Sequence, residues 1–326
     1  MWCIQSNSHD PFFNLASEEY LLKSFREDLF LLYRNKPSIV VGKHQNTLAE
    51  INLSYVMDQG ITVARRISGG GTVYHDLGNL NFAFITNGSE GYLVDYRKYT
   101  RPLIDAMETM GLKVSLGSRN ELLLKKLKIS GTASHVYKQR VLHHGTLLFS
   151  SSMDRLSLAL KVPPGRFHDR AVKSVPAEVT NIKNHLVHKM EVTDFQNNIL
   201  EYILNTVSGA SSYQYSEEDL KNIGSLSHRK YSTWEWNFGY SPRYRFRKTL
   251  TCNQGHVLLQ MQVEKGIIRA VSLSGDFMSN RQVHALEEKL TGIIHDPETI
   301  RSRLSSINVQ DYISGLDNEG LVSGMF

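Results

Sequence analysis

The chain has 326 residues, 41% of them hydrophobic and 21% charged, with two cysteines and a formal net charge of +5. That length exceeds one ordinary core and points to a large domain with a smaller one, or to two of similar size. No apolar run approaches the ~18 residues of a membrane span, Cys3 and Cys252 supply neither a disulfide framework nor a cysteine zinc site, and the positive balance favours acidic partners or anionic ligands without selecting nucleic acid.

The opening stretch, MWCIQSNSHDPFFN, has neither the apolar core of a signal peptide nor the arginines of an amphipathic presequence. The chain is expected to be a mature form. Residues 14–25, NLASEEYLLKSF, read as an amphipathic helix, with Leu15, Tyr20, Leu21, Leu22 and Phe25 available for burial. DLFLLYR and SIVVG read as strands, followed by a polar loop, KHQNT.

Three further strands, ITVARRI, TVYHD and NLNFAFI, surround the glycine run at residues 69–71. Three consecutive residues without a Cβ leave bare backbone that another molecule can approach. The N–H groups of such a turn can form an anion-binding nest, and Arg65 and Arg66 bring positive charge to it. A phosphate-bearing ligand is the chemistry this suggests, although a tight β-turn with spare glycines is the plain alternative. A P-loop is excluded because no lysine follows Gly71, and a dinucleotide fingerprint because a strand, not a helix, follows.

Residues 95–111 form a helix closed by Gly111. LKVSL, NELLLKK and the strand-like HHGTLLFS at 143–150 come next. MDRLSLALKV is a helix stopped by Pro163 and Pro164. A polar loop then runs to about residue 181, and loops of that length are usually functional or mobile. The helix TDFQNNILEYILNTV follows. From about residue 249 alternating strands surround Gly255 and Gly266, and two helices, RQVHALEEKLTG and PETIRSRLSSI, complete a βββαα-like tail. The whole reads as α/β with mixed sheets, or α+β, divided into residues 1–248 and a small C-terminal domain, 249–326.

Two more groups of residues stand out. KISGTA, from Lys128 to Ala133, places a lysine, a serine and a glycine at a strand turn, and HHGTLL follows at 143–148. A solvated surface charge is the ordinary fate of a lysine. His143 and His144 point to opposite faces of a strand and are not expected to chelate one metal. Residues 229–248, RKYSTWEWNFGYSPRYRFRK, carry six basic residues, one acidic and seven aromatics. Such a segment can bind single-stranded nucleic acid; packing of its aromatics is the favoured reading.

Together, RRISGGGTVYHDLGNLNFAF, KISGTA and HHGTLL resemble the lipoate–protein ligase and lipoyltransferase family. The first looks like its Arg-Arg-x-Ser-Gly-Gly-Gly-x-Val-x-His-Asp-x-Gly-Asn signature, the second its Lys-x-Ser-Gly-x-Ala motif and the third its His-x-x-x-Leu-Leu element. SRNELL and WEWNFG match in kind and order. The overall texture is most similar to the animal mitochondrial lipoyltransferase.

The resemblance implies a large mixed α/β catalytic domain of the biotin/lipoate ligase type with a small C-terminal α+β domain. It implies transfer of a lipoyl group from lipoyl-AMP, or from an acylated carrier protein, to a lysine of the lipoyl domains of 2-oxoacid dehydrogenase E2 subunits and of glycine-cleavage H protein. The alternative is an ATP-dependent ligase that also makes the adenylate. No tightly bound cofactor or metal is expected; lipoyl-AMP is a substrate, with Mg-ATP only under the ligase alternative. The partners implied are acidic lipoyl domains, with no nucleic acid and no membrane, for a monomer in the mitochondrial matrix. Lys128 is the catalytic candidate. Arg65, Ser68, Gly69, Gly70, Gly71, Tyr74, Arg119, Asn120, Ser130, Gly131, Ala133, His144, Thr146, Val175 and Ala177 are the other lipoyl-AMP-binding candidates, with loop 173–181 closing over the adenylate. Gly70→Val is expected to block binding while leaving the fold largely intact.

A mixed anhydride is already activated, so the task left is to orient the acceptor amine and stabilise charge on the carbonyl oxygen. That amine has a reference pKa of ~10.4 and must lose a proton before attacking; His144 is the candidate base. Octanoyl transfer through a thioester is disfavoured, because Cys3 and Cys252 lie far from the motifs in sequence. A nucleic-acid-binding protein is the rival from another class.

Overall fold

The first helix forms where the sequence supplies its cap. Asp10 accepts a hydrogen bond from the Phe12 N–H at 3.3 Å and Pro11 occupies the first turn, so the helix runs Pro11–Ser24. It starts earlier than its amphipathic pattern suggests. The structure, a computed structural model, describes residues 1–88, 93–253 and 255–326; Gln254, in a turn expected between two strands, lies outside them.

Among these residues the strands are β1 (Trp2–Gln5), β2 (Leu29–Arg34), β3 (Ser38–Val41), β4 (Thr62–Arg65), β5 (Val73–His75), β6 (Asn79–Asn87), β7 (Val114–Leu116) and β8 (Leu122–Leu124). They continue with β9 (Leu127–Ser130), β10 (Thr132–Tyr137), β11 (Arg140–Leu148), β12 (Phe167–Asp169), β13 (Ser211–Ser212), β14 (Tyr244–Cys252), β15 (Gly255–Glu264) and β16 (Ile267–Gly275).

Two compact units result. One comprises Met1–Lys43, Asp58–Ala159 and Ser174–Thr233; the other comprises His44–Met57, Leu160–Lys173 and Trp234–Phe326. The division is therefore not the single cut after residue 248 expected from texture.

In the first unit, a six-stranded sheet has the order β10-β11-β6-β2-β1-β13. β1 is parallel to β2 and β13, and the remaining pairings are antiparallel. Its buried side packs Phe30, Phe82 and Phe84 with Leu103 and Met107 of the helix Tyr96–Thr109, and with Phe195, Ile199 and Ile203 of the helix Val192–Thr206. β2 and β6 are buried almost throughout, which explains the nearly continuous apolar sequence of β2 and the central FAFI run of β6. Two small sheets, β4-β3-β5 and β7-β8-β9, carry the glycine turn and Lys128 respectively.

The second unit is built on the antiparallel sheet β12-β14-β15-β16. β12 comes from the long loop read as structureless; Phe167 pairs with Phe246 and Asp169 with Tyr244. The segment His44–Met57 joins the same unit because Thr47 Oγ1 donates to the Asn237 carbonyl at 2.6 Å, Ser241 Oγ accepts from the Thr47 N–H at 3.2 Å, and Leu48 enters the core. Of the aromatics in 229–248, Tyr231, Tyr244 and Phe246 are buried and Trp234 stacks on Phe238 at 6.1 Å, as the favoured packing expects, while Tyr240 stays exposed. Helices His284–Leu290, Pro297–Leu304 and Asn318–Gly324 close the unit.

Candidate functional site

β4 ends at Arg65 and β5 begins at Val73, leaving the glycine run as the turn between them. Arg65 is wholly buried, and its Nη1 donates to the Gly42 and Lys43 carbonyls at 3.0 and 3.1 Å. Its charge therefore does not reach the turn's surface, contrary to the anion-facing role expected. Arg66 acts inward too. Its Nη2 donates to the Gly69 and Gly71 carbonyls at 2.6 and 2.7 Å, Nη1 to the Val40 carbonyl at 3.1 Å, and Nε to Ser68 Oγ at 3.0 Å. Burial lowers this guanidinium's pKa to about 10, against the opposing pull of Glu18.

With the Gly69 carbonyl turned to Arg66, the Gly70 N–H on the same peptide plane points the other way. It meets no acceptor among the described residues. A Cβ placed on Gly69 would meet nothing within 4 Å, whereas one on Gly71 would lie 3.2 Å from Ser174 Oγ. The turn thus has one face held by arginine, one end packed by Ser174 and one glycine facing open space.

β11 joins this turn to the second motif. His144 and Thr146 are two residues apart on a strand and share a face. His144 Nε2 lies 2.6 Å from Ser68 Oγ, while Thr146 Oγ1 accepts from the Gly131 N–H at 3.2 Å. The Thr146 N–H returns a bond to the Gly131 carbonyl at 3.1 Å, and Ala133 pairs with His144 across β10–β11. The H-x-T spacing of HHGTLL therefore ties the glycine turn to KISGTA. His143 takes the opposite face, stacked on Tyr99 at 4.3 Å, and burial pushes its pKa down to about 4.

Lys128 lies on β9, and its Nζ stands 3.4 Å from where a Cβ on Gly131 would sit. Burial lowers its pKa; Glu121 opposes the shift and Arg119 adds to it. Its backbone is clamped by the returning loop: the Lys128 N–H donates to the Glu178 carbonyl at 2.9 Å and its carbonyl accepts from the Thr180 N–H at 3.0 Å. At the other end of that loop, Ser174 Oγ accepts from the Thr72 N–H at 2.9 Å. Residues 174–180 thus run from the glycine turn to Lys128, with Val175 and Ala177 exposed between the anchors.

The other candidates fall around this frame. Ser130 is buried, and its hydroxyl has no hydrogen-bond partner among the described residues. Tyr74 is buried on β5 opposite Ile39. Asn120 adopts a φ of 62° and its carbonyl accepts from Thr132 Oγ1 at 2.6 Å. Arg119 is exposed, its N–H bonded to Glu121 at 2.7 Å.

Sequence reasoning missed Glu18 and Tyr33, and it reached Ser174 only as part of loop 173–181. Glu18, wholly buried, accepts from Tyr33 at 3.0 Å and from His144 Nδ1 at 2.8 Å. Both ring nitrogens of His144, the candidate base, are thus engaged inside the fold, Nδ1 with Glu18 and Nε2 with Ser68. Glu18 was readable in part: it shares a helical face with Leu15 and Leu22, and a carboxylate on an apolar stripe needs a partner.

Residues 10–204 match the family described as Lipoyl protein ligase A/B catalytic domain, and residues 241–325 match Bacterial lipoate protein ligase C-terminus. Lipoate–protein ligase 1 of Staphylococcus aureus is 40% identical over 319 residues, which cover 97% of each chain. Lipoate-protein ligase LplJ of Bacillus subtilis is 38% identical over 317 residues, covering 96% of each. An archaeal lipoylation system of known structure, a bi-partite lipoate protein ligase and its E2 lipoyl domain from Thermoplasma acidophilum, aligns with a TM-score of 0.62 at 25% identity. That alignment covers 73% of this chain and 96% of the other.

Proposed function

Because the chain belongs to the lipoate–protein ligase family, we propose that it is an ATP-dependent ligase that attaches lipoate to a lysine of an apo-lipoyl domain. The observation carrying this reading over a transferase limited to preformed lipoyl-AMP is the near-full-length likeness, at 40% and 38% identity, to two bacterial ligases. These similar relatives are bacterial ligases, not the animal mitochondrial lipoyltransferase suggested by the sequence texture, and the matrix location that accompanied it is not carried forward.

Two steps are involved. A lipoate carboxylate oxygen attacks the α-phosphorus of ATP, and pyrophosphate leaves with the broken P–O bond. The neutral amine of the acceptor lysine then attacks the acyl carbon of lipoyl-AMP; AMP leaves, and the nitrogen loses a proton as the amide forms. The residues described suit the handling of such an adenylate. Gly69 offers an open approach and the Gly70 N–H a donor, while the Lys128 ammonium can stabilise the anhydride oxygens and the charge developing on the acyl oxygen. The clamp of 178–180 on β9 fixes the Lys128 backbone.

The test is a transfer assay on apo-lipoyl domain, comparing lipoate plus Mg-ATP with preformed lipoyl-AMP. The ligase should give lipoylated product from both, with one AMP and one pyrophosphate released per amide in the ATP reaction. Product from lipoyl-AMP alone would restore the transferase reading.

A further inference from the structure

The sequence RYRFRK at 243–248 alternates, and its alternation falls on the two faces of the second unit's sheet. Tyr244 and Phe246 enter the core, while Arg243, Arg245 and Arg247 are exposed. Register continues the pattern. Arg245 pairs with His168 on one side and Gln262 on the other, and Arg247 pairs with Gln260, which pairs with Ser272. Two adjoining depressions of about 480 and 630 Å³ lie over this polar face, the larger also bordered by Arg170 and Arg269.

The charge on this face is not neutralised within the unit. Asp169 is committed to Lys173 at 2.7 Å and Asn46 at 3.0 Å, which leaves Glu264 as the exposed carboxylate at the rim. None of Arg243, Arg245, Arg247 and Arg269 makes an ion pair among the described residues. Exposed arginines along a strand, ~6–7 Å apart at alternate positions, offer planar forks for bidentate carboxylate binding.

We propose that this face docks an acidic, folded protein surface. The inference rests on the ligase reading for its occupant: under it, the acceptor domain is the protein held there. Single-stranded nucleic acid fits less well, because the aromatic rings of β12 and β14 point into the core and the outward positions Gln260, Gln262 and Ser272 offer no stacking platform. Steering by such a face raises the encounter rate and fixes orientation, and it weakens with salt.

The experiment uses the full chain and its Arg245→Glu/Arg247→Glu variant, both exposed positions outside the catalytic frame. Three readouts are taken: formation of lipoyl-AMP without acceptor, binding of a fluorescent apo-lipoyl domain by anisotropy from low to high salt, and steady-state transfer. Adenylate formation should be unchanged. The Kd and the acceptor KM should rise about tenfold, with kcat held and the salt dependence flattened. Equal Kd and KM in the two proteins would overturn the proposal. So would single-stranded oligonucleotide binding tighter than the lipoyl domain and lost in the variant. A wild-type chain that makes no lipoyl-AMP would instead overturn the ligase reading, while binding of poly-L-glutamate, lost in the variant, would still support the acidic docking face.

Discussion

Ser68 and His144 are 76 positions apart in sequence, and Ser68 Oγ lies 2.6 Å from His144 Nε2. Glu18 accepts from His144 Nδ1, so Nε2 is the acceptor and the Ser68 hydroxyl donates to it; the tautomer is assigned from the bonding. Ser68 Oγ in turn accepts from Arg66 Nε. The row resembles a Ser-His-acid relay, but Arg66 and burial make it a brace for the glycine turn. Glu18→Ala should leave the Tyr33 hydroxyl and His144 Nδ1 unpartnered inside the fold. A loss of about 2–4 kcal/mol is expected, read from urea denaturation; a change below about 0.5 kcal/mol would show that the brace contributes little.

Gly69 and Gly70 should respond differently to substitution. A Cβ on Gly69 meets nothing, so Gly69→Ala should fold as the parent does and intrude on the ligand's approach. Gly70 has φ +87° and a Cβ there would lie 3.1 Å from Arg66 Nη2. Gly70→Val is therefore strained, by about 1–3 kcal/mol, and the expectation that it spares the fold is corrected. Melting curves with and without lipoate plus Mg-ATP check this: a Gly69→Ala protein that keeps the full ligand-induced shift would contradict the approach path.

Lys128→Ala should cost on the order of 2–4 kcal/mol of transition-state stabilisation if the ammonium stabilises developing charge. That is a fall of roughly 30- to 1,000-fold in single-turnover transfer from preformed lipoyl-AMP. Lys128→Arg should rescue only partly, because a planar fork cannot take the place of a compact ammonium. Near-parental transfer by folded Lys128→Ala would remove this residue from the mechanism.

Acid should destabilise the second unit through His295. Its Nε2 donates to the Met325 carbonyl at 2.8 Å and its Nδ1 accepts from Tyr244 at 2.6 Å, and burial lowers its pKa to about 4. A neutral ring is favoured by folding, so this contribution is complete above pH ~6.5 and declines as pH falls toward 4, with a slope of up to ~1.4 kcal/mol per pH unit. His295→Gln should flatten the stability profile in that window; an identical slope in parent and variant would refute the assignment.

Local rules made part of the molecule legible. The strand on each side of the glycine turn, the shared face of His144 and Thr146, and the outward arginines of β14 all follow from alternation along a strand, which neighbours in sequence determine. The three motifs together identified the family from residues alone, because each preserves chemistry over a few consecutive positions. Tertiary structure decided which of those residues bond to one another. Nothing local places Glu18 beneath His144, Ser174 against Gly71 or β12 beside β14, since each contact joins segments far apart in sequence. The same reason made supports of Arg65, an expected ligand contact, and of Arg66, expected to bring charge to the turn. A guanidinium enclosed by a fold binds the carbonyls that enclose it, and which carbonyls those are depends on strands β3 and β4 being brought together.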